Sequence, residues 1–462
     1  MNIDEIKHKL IELDKDILKD FVLDLYLHYP ELKDKIETLV LYNDPVALAK
    51  AILKRVQSIK RGRKFIDYHA SFDFSRRLDS IYIDIESGLL DGSPQLAFDL
   101  IDKFLATANK VFERADDSAG YMSEVYRNAV LLWLTAAKAW QSSLDANHKI
   151  NWLERVYELY LGNDYGVFDL LLPNSHILLS HEQLTQLAWR YESELRQAQK
   201  KSNAEDKLNM DALTSSVALR AVAEALNDPA LYERATLITS PKPNDLEKKS
   251  IIKMYLQFKQ TDEALRWLNT PWESRFEGDR LGLLDDAYLQ NGDAGQLKQT
   301  RYQYYQCDKT YHSFQRYLEL LNDKEKESAQ DKAIRQAEQG DDVFNNADML
   351  LSLGEAERAQ ALVLSRGEEI ADCFYTNLLK LASKFDEQNC LLAATLCYRT
   401  LLLDILNHAR SKAYGHAAKY YKKLTVMAKE IKHYAPLETH PAFVEQLEDK
   451  HGKKRSFWQR VQ

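Results

Sequence analysis

Apolar residues recur along this chain at the spacing of one helix face. In the first 30 residues they lie three or four positions apart in two successive segments. This spacing places side chains on one face of an α-helix, whereas a half-buried strand alternates apolar and polar residues. Alternating runs rich in Val and Ile are nearly absent, so the pattern predicts an all-α protein. The apolar positions of the two N-terminal segments are Ile6, Leu10 and Leu13, then Ile17, Phe21, Leu25 and Tyr29.

Polar residues followed by Pro mark three predicted helix starts. Asp and Ser can accept hydrogen bonds from the free amides of a first turn, and Pro suits the first helical position because its missing N–H has no partner there. A fourth start is a capping box formed by Ser180 and Gln183. The sequence therefore predicts helices joined by short turns. The three Pro starts are Asp44-Pro45, Ser93-Pro94 and Asp228-Pro229.

One helix–turn–helix pattern recurs between residues 245 and 410. An apolar or aromatic helix end precedes a small polar turn, and the second helix begins with acidic residues and Ala. The copies are residues 254–265, 288–293 and 350–357. Tyr255 and Tyr288 lie 33 residues apart, and Gly292 and Gly354 lie 62 apart. A helix–turn–helix period of about 34 residues is typical of a tetratricopeptide-like (TPR-like) solenoid.

Breaks in the pattern divide the chain into three predicted domains. Residues 240–244 contain two Pro and an Asn, which makes them the strongest break. Pro30 is predicted to end the second helix, and residues 202–207 are predicted to form a polar link. We predict an N-terminal helical bundle over residues 1–60, a helical domain over 61–240, and a TPR-like repeat domain with a basic C-terminal tail over 245–462.

The charge balance limits the partners that the whole surface can bind. The 62 basic and 70 acidic residues give a net charge of −8. This argues against binding nucleic acid or an anionic membrane over the whole surface, but leaves room for a local basic patch. The N-terminus is charged and lacks an apolar signal core, and no apolar run reaches 18 residues. We therefore expect a cytoplasmic protein that does not span a membrane.

Motifs for catalysis, metal binding and cofactor binding are absent from the sequence. There is no Gly-Lys-Ser/Thr phosphate loop, no Gly-x-Gly-x-x-Gly, no Gly-x-Ser-x-Gly and no His-Glu-x-x-His. Cys390 and Cys397 lie seven residues apart on one helix face and are expected to be small buried thiols. No catalytic residue, metal ligand or cofactor is predicted, and a non-enzymatic protein is favoured.

A basic run and an aromatic segment follow the helix that begins at Pro45. We predict that Phe65, Tyr68, Phe72 and Phe74 form an aromatic packing seam beneath a solvated face. On that face Asp67 and Asp73 would pair with Arg76 and Arg77 across adjacent turns. The alternative is a patch that binds an anion or phosphate. Its candidate residues are Arg61, Arg63, Lys64, Arg76 and Arg77.

Two other segments allow a structural and a binding interpretation. Residues 302–317 contain five Tyr, which can wedge between solenoid helices or stack on bases; we favour the wedges. Phe457 and Trp458 either touch nucleic acid or dock the tail onto the last helix, and we favour docking because an indole seldom stays in water without a contact. The candidate phosphate-binding residues of the tail are Lys453, Lys454 and Arg455.

Several of these segments together resemble a known family. Residues 65–79, 164–169, 262–267 and 453–455 look like the helical region of bacterial proteins that carry a SWIM-type zinc finger, and like the related DUF6880 proteins. The resemblance covers roughly residues 45–460 and implies a long TPR-like array. A SWIM finger needs Cys-x-Cys and then Cys-x-His. This chain has no such set, so the resemblance carries over neither zinc binding nor catalytic residues.

The sequence therefore favours an interaction protein. Stacked helix pairs leave a concave surface on which a protein or peptide partner can lie. The alternative is an accessory factor for nucleic-acid work, for example in phage defence or a mobile element, that binds phosphate through the two basic runs. A third class, a hydrolase, would need a pocket with convergent carboxylates or His.

Overall fold

The computed structural model describes residues 2–29, 32–144, 150–201 and 209–461. Within these residues the chain is helical and contains no strand, and one isolated backbone bridge joins Ile66 to Ala115. The prediction of an all-α protein is therefore confirmed. The expected stop at Pro30 and the polar link over residues 202–207 lie outside the described residues. The chain divides into two compact units, Met1–Phe258 (unit 1) and Lys259–Gln462 (unit 2).

Unit 1 is built around one core that extends from α4 to α12. In its first half, α4, α5, α6 and α8 pack against one another, and in its second half α11 packs between α10 and α12. The core crosses residue 60, where the sequence predicted a domain boundary. The helices are α1 (Ile3–Glu12), α2 (Lys15–His28), α3 (Lys33–Val40), α4 (Pro45–Arg61), α5 (Tyr68–Leu89), α6 (Pro94–Leu105), α7 (Ala108–Phe112), α8 (Tyr121–Ser143), α9 (Trp152–Leu161), α10 (His181–Lys201), α11 (Met210–Leu226), α12 (Pro229–Thr239) and α13 (Asp245–Gln257).

The predicted caps fix most of these helix starts. Asp44 accepts a hydrogen bond from the Ala47 amide at 3.0 Å, and Asp228 caps α12 in the same way. Ser180 and Gln183 form both bonds of the predicted capping box. Pro94 begins α6, but the Ser93 side chain makes no capping bond.

Trp133 of α8 is the centre of an aromatic cluster in unit 1. Its side chain is fully buried, and its ring centroid lies 5.3 Å from that of Phe98 and 5.9 Å from that of Trp152. The indole Nε1 donates to Asp102 at 3.0 Å, and Arg155 pairs with the same carboxylate at 2.8 Å. The buried indole is therefore hydrogen-bonded, and α8 lies at the centre of the core of unit 1.

The N-terminal helices do not form the expected packed bundle. No residue of α1, α2 or α3 is buried, because three helices of 8 to 14 residues cannot cover one another's apolar stripes. Of the predicted core positions only Leu25 is half-buried. The exposed ones are Ile6, Leu10, Leu13, Ile17, Phe21 and Tyr29.

Unit 2 contains helix hairpins that lie side by side. α19 packs against α20 and α22 against α23, and α19 also contacts α22 while α20 contacts α23. The helices are α14 (Thr261–Leu268), α15 (Glu277–Asn291), α16 (Ala294–Asp308), α17 (Tyr311–Leu318), α18 (Asp323–Gln339), α19 (Val343–Ser352), α20 (Ala356–Ser365), α21 (Gly367–Ile370), α22 (Tyr375–Glu387), α23 (Leu391–Asn407), α24 (Tyr414–Met427), α25 (His440–His451) and α26 (Arg455–Val461).

One turn geometry joins the hairpins α15–α16, α19–α20 and α22–α23. Each turn has a residue with left-handed backbone: Gly292 (φ 70°), Gly354 (φ 84°) and Asn389 (φ 59°). The amide of the following residue donates to the carbonyl five residues earlier, at 2.8 to 3.0 Å. Such bonds satisfy the free carbonyls at a helix C-terminus, so each hairpin reverses its chain in the same way.

A buried carboxylate joins three helices of unit 2. Asp285 of α15 accepts from Arg301 Nε of α16 at 2.8 Å and from Arg316 of α17. Arg301 also donates to Glu319 at 3.0 Å and to the Arg316 carbonyl at 2.8 Å. Asp285 and Arg301 are both buried. This Asp285–Arg301–Arg316 network fixes α16 and α17 relative to α15.

The C-terminal tail docks onto α24, as predicted. Phe457 is fully buried, and the rings of Phe457 and Trp458 both contact Tyr421. Trp458 Nε1 donates to the His451 carbonyl at 3.1 Å. His451 is buried and donates through Nε2 to Asn407 at 3.1 Å. Burial lowers the pKa of His451, and Lys454 and Lys450 lower it further.

Two opposite substitutions test the left-handed turns. A Cβ at Gly354 would have no atom within 4 Å. Gly354→Ala should therefore lower the free energy of unfolding only by the cost of a left-handed backbone with a Cβ, about 1 kcal/mol. Ala409 is exposed at φ 50°, so Ala409→Gly should stabilise unit 2 by up to about 1 kcal/mol. The urea midpoint measured by circular dichroism should fall for the first variant and rise for the second. Shifts in the same direction would contradict this account.

Removal of the Asp285 carboxylate should destabilise unit 2 strongly. Asp285→Ala leaves Arg301 buried without its central partner, and breaking such a pair costs about 3–5 kcal/mol. Asp331→Ala removes an exposed carboxylate from α18 and should change stability by less than about 0.5 kcal/mol. Urea unfolding of both variants measures the difference, and equal losses would show that the network is not a principal stabilising contact.

Acidification should loosen the tail. The pKa of folded His451 is below the ordinary value of 6.5, so the unfolded tail binds more protons as the pH falls below 6.5, and stability that is present above this pH is lost. Amide exchange in residues 440–461, corrected for its intrinsic pH dependence, should accelerate from about pH 7.5 to about pH 5.5. His451→Gln stays neutral and should reduce this effect. An equal acceleration in that variant would assign the effect to another group, such as His440.

Candidate functional site

A groove runs between α16 and α18 in unit 2. It consists of two adjoining clefts, of about 430 Å³ and 530 Å³, which share Tyr305 and Gln336. The first cleft lies between α16, α17 and α18. The second continues past the C-terminal end of α16 to the start of α19. We call this feature the α16–α18 groove.

Tyrosines from the predicted cluster wall the first cleft. Tyr305 and Phe314 are buried with ring centroids 4.8 Å apart. Tyr302 and Tyr317 are half-buried at 5.2 Å. Burial raises the pKa of Tyr305 to about 12 and also raises the pKa of Tyr317, so both phenols stay neutral hydrogen-bonding groups at physiological pH. Tyr305 has the predicted role of a wedge between helices, while Tyr302 and Tyr317 are partly open to a ligand.

The groove has opposite charges at its two ends. Lys332 Nζ donates to the Tyr302 hydroxyl at 2.8 Å, and exposed Lys324 lines the same cleft. Glu325 also lines this cleft, but its carboxylate is paired with Lys298 at 2.7 Å. The second cleft is lined by three carboxylates and one Lys. A ligand in the groove would therefore meet cationic groups at one end and anionic groups at the other. The charged residues of the second cleft are Asp308, Lys309, Asp341 and Asp342.

One hydrogen-bond donor of the second cleft has no partner. Asn346 of α19 lines this cleft, and its Nδ2 is buried without a hydrogen bond among the described residues. A buried donor in that state loses its hydration without compensation.

Small side chains on α18 keep the groove open. Within α18 only Ala333 and Ala337 are buried; both line the second cleft. α18 packs against α19 and does not pack closely against α16. Two features of the sequence are consistent with this groove: a Tyr-rich helix, α16, and a polar helix, α18, whose buried positions are Ala. The sequence pattern alone does not show that these two helices face each other.

Arg114 contacts the end of α4 and the start of α5, the segments that carry the predicted basic residues of unit 1. The Arg114 guanidinium donates to the Lys64 carbonyl at 2.9 Å and to the Ile59 carbonyl at 3.3 Å. A Cβ at Gly62 would lie 2.7 Å from Arg114 Nη2, so Gly permits this close approach. Arg114 also lies 5.4 Å from the ring centroid of Phe74, which Arg77 approaches to 5.8 Å. The end of α4 and the start of α5 are thereby brought together.

The predicted aromatic seam of α5 is wrong except at Phe74. Phe74 is buried, but Phe65, Tyr68 and Phe72 are 62%, 52% and 52% exposed. The buried face of α5 runs through two serines, Ser71 and Ser75, and then through Leu78 and Ile81. At 3.6 residues per turn Phe72 points away from this face, whereas Tyr68 is exposed as the first residue of α5.

The predicted ion pairs on α5 do not form. Asp67 instead caps α5 by accepting from the Ala70 amide at 3.0 Å, and Asp73 forms no ion pair with a described residue. Exposed cations and exposed rings therefore share one surface, which we call the basic–aromatic surface. Its residues are Arg61, Arg63, Lys64, Arg76, Arg77, Phe65, Tyr68 and Phe72.

The basic residues of the tail belong to unit 2. Lys453 and Arg455 are exposed and Lys454 is half-buried. They lie at the junction of α25 and α26, where Arg455 is the first residue of α26. The eight predicted phosphate-binding residues are thus divided between two compact units.

The described ranges contain neither a metal-binding cluster nor a membrane-spanning helix. There, no three His, Cys, Asp or Glu side chains are grouped so that they could hold a metal ion. Cys390 and Cys397 are buried free thiols, as predicted. None of the helices with described coordinates combines the length and hydropathy needed to cross a bilayer.

The comparison with known families supports the resemblance to DUF6880. This family, described as a family of unknown function, matches residues 7–460. No curated protein and no solved structure matches the chain. Since the match covers nearly its whole length, the chain belongs to the DUF6880 family.

Proposed function

We propose that this protein is a non-enzymatic interaction protein that binds a peptide segment of a partner protein in the α16–α18 groove. The observation that carries the proposal is the open, tyrosine-walled groove with oppositely charged ends. Half-buried Tyr rings offer large contact areas at a small cost in side-chain entropy, which suits them to peptide recognition.

We infer that the hairpins of unit 2 are copies of a TPR-like repeat. The left-handed turn residues Gly354 and Asn389 lie 35 residues apart, close to the period of about 34 residues expected for this class. The hairpins α19–α20 and α22–α23 also lie side by side. In such arrays each repeat contacts its neighbours and the stack leaves a concave face, which supports a peptide ligand.

The groove chemistry favours a peptide with a defined direction. Its acidic side chain or terminal carboxylate would lie near Lys324 and Lys332, and its basic side chain near Asp341 and Asp308. Charges arranged in this way fix orientation and register more than they add affinity.

A bulky residue inside the groove should abolish partner binding. Ser328 is exposed and lines the first cleft, so Ser328→Trp would fill it at little cost to the core. Exposed Glu327 precedes it on α18 and does not line the groove, which makes Glu327→Trp the matched control. Affinity purification from native lysate should recover a partner with the wild type and with Glu327→Trp, but not with Ser328→Trp.

The bound segment should also be located in the partner. Cross-linking from a photoreactive residue at Lys324, followed by mass spectrometry, should label a stretch that contains an acidic residue. A partner retained equally by the two Trp variants, or no partner above background for a monodisperse wild-type protein, would reject the groove as the binding site.

A further inference from the structure

The side-chain cations of the basic–aromatic surface make no hydrogen bond to a described residue, unlike the other arginines of unit 1. Five of those arginines, Arg55, Arg155, Arg190, Arg196 and Arg234, pair with a carboxylate. The other three, Arg114, Arg127 and Arg220, donate to backbone carbonyls. In contrast, the five basic residues of this surface form no ion pair with any described residue. Over residues 60–77 the sequence has six basic residues and two carboxylates. This local excess of positive charge lies in a chain whose net charge is −8.

Exposed aromatic rings lie among these cations. Tyr68, Phe72 and Arg76 follow one another at four-residue intervals along α5 and therefore share one helix face. The ring of Phe72 packs edge-on against that of Tyr121, with centroids 5.3 Å apart. Phe65 precedes α5 and is still more exposed. Each ring thus leaves a face open beside a positive charge.

From this arrangement we propose that the basic–aromatic surface binds single-stranded nucleic acid. The cations would contact the phosphates, and Phe65, Tyr68 and Phe72 would stack on unpaired bases. Single-strand binding commonly combines these two elements, a positively charged track for the backbone and aromatic platforms for the bases. Stacking needs only the flat face of a base, so little sequence preference follows.

The surface is held in place by the fold rather than by its own side chains. The Ile66 amide donates to the Arg114 carbonyl at 2.9 Å, and the Asp116 amide donates to the Ile66 carbonyl at 2.8 Å. Asp67 caps α5, and α5 buries its opposite face in the core of unit 1. The rings and cations are therefore positioned before a ligand arrives, which lowers the entropic cost of binding.

The same observations disfavour other anionic partners. A membrane surface requires a continuous apolar face that enters the headgroup region, whereas here Asp73 and Arg76 adjoin Phe72 on the exposed side of α5. A DNA duplex offers phosphates but keeps its base faces stacked, so it would use the cations and leave the rings without a role. The proposal is also independent of the α16–α18 groove, because all its residues belong to unit 1.

Fluorescence anisotropy with the full chain tests the proposal. The nucleic-acid probes are labelled oligothymidine and oligouridine of about 16 nucleotides and a labelled DNA duplex of the same length. The membrane probe is a phosphatidylserine vesicle labelled with an apolar dye. We expect the single strands to bind at low salt more tightly than the duplex, and the vesicles not to bind. The DNA and RNA arms show whether the sugar matters, and binding of either supports the proposal.

Two sets of variants separate phosphate contacts from stacking. Arg61→Ala/Arg63→Ala/Lys64→Ala should flatten the log–log salt slope by up to about 2, at roughly 0.7 per phosphate of a single strand. Phe72→Ala and Tyr68→Ala should each weaken binding by about ten-fold or more at constant salt. These side chains are exposed, so the melting temperature should be unchanged.

Controls with the same chemical losses elsewhere complete the test. Lys200→Ala/Lys201→Ala/Lys242→Ala removes three exposed charges from unit 1, and Phe374→Ala removes a ring that is 80% exposed in unit 2. Both should bind like the wild type. The proposal is overturned by absence of single-strand binding at low salt, by vesicle binding, by duplex binding that equals single-strand binding and survives loss of the rings, or by losses that the controls reproduce.

Discussion

The Asp285 carboxylate is the contact on which the arrangement of helices around the α16–α18 groove depends. It lies buried between Arg301 and Arg316, and therefore ties α15 to α16 and α17. Tyr302 and Tyr305 lie on α16 and Tyr317 on α17, so this carboxylate helps to set the spacing of these rings. Two guanidinium groups on one acid also leave a net positive charge, which Glu319 balances from the edge of the network.

Arginine has two different uses in this protein. Within the core or at its edge, as at Arg301 and Arg55, guanidinium groups are paired with carboxylates and hold helices together. On the basic–aromatic surface they are exposed and unpaired with any described residue, while Arg114 beneath them is occupied by backbone carbonyls. Burial of a charge demands a partner, whereas an exposed charge without one remains available to a ligand. The pairing state therefore separates structural from candidate binding arginines better than composition does.

The sequence predicted local structure well because local structure has local causes. The caps at Asp44 and Asp228, the turn at Gly354 and the docking of Phe457 each depend on neighbouring residues or on one large ring seeking a contact. The phase of α5 was predicted incorrectly because two serines occupy its buried face. The apolar character of Phe65, Tyr68 and Phe72 favoured a place in the core. The structure shows instead that α5 turns its serine-containing face toward α4 and α8.

Features that depend on two distant helices could not be predicted from the pattern. α1 and α2 are exposed because no described helix covers their apolar faces. The spacing of their apolar residues does not show whether another helix will cover them. The α16–α18 groove likewise requires both the Tyr residues of α16 and the Ala residues of α18, and their opposition is a property of the fold. The tetratricopeptide-like spacing predicted helix hairpins, but it did not predict that α16 and α18 would be separated by a groove.

The open groove also leaves α18 with little buried apolar surface. Its buried side chains, Ala333 and Ala337, remove little apolar area from water, and burial contributes only about 25 cal/mol per Å². Across the groove the walls are joined by polar contacts at the rim, between Lys298 and Glu325 and between Lys332 and Tyr302. A segment lying in the groove would add buried area between the two walls, and a ligand that binds only the folded state stabilises it by mass action. Binding of the proposed peptide would therefore be thermodynamically coupled to the ordering of α18, because the peptide would fill the space that leaves α18 with little packing.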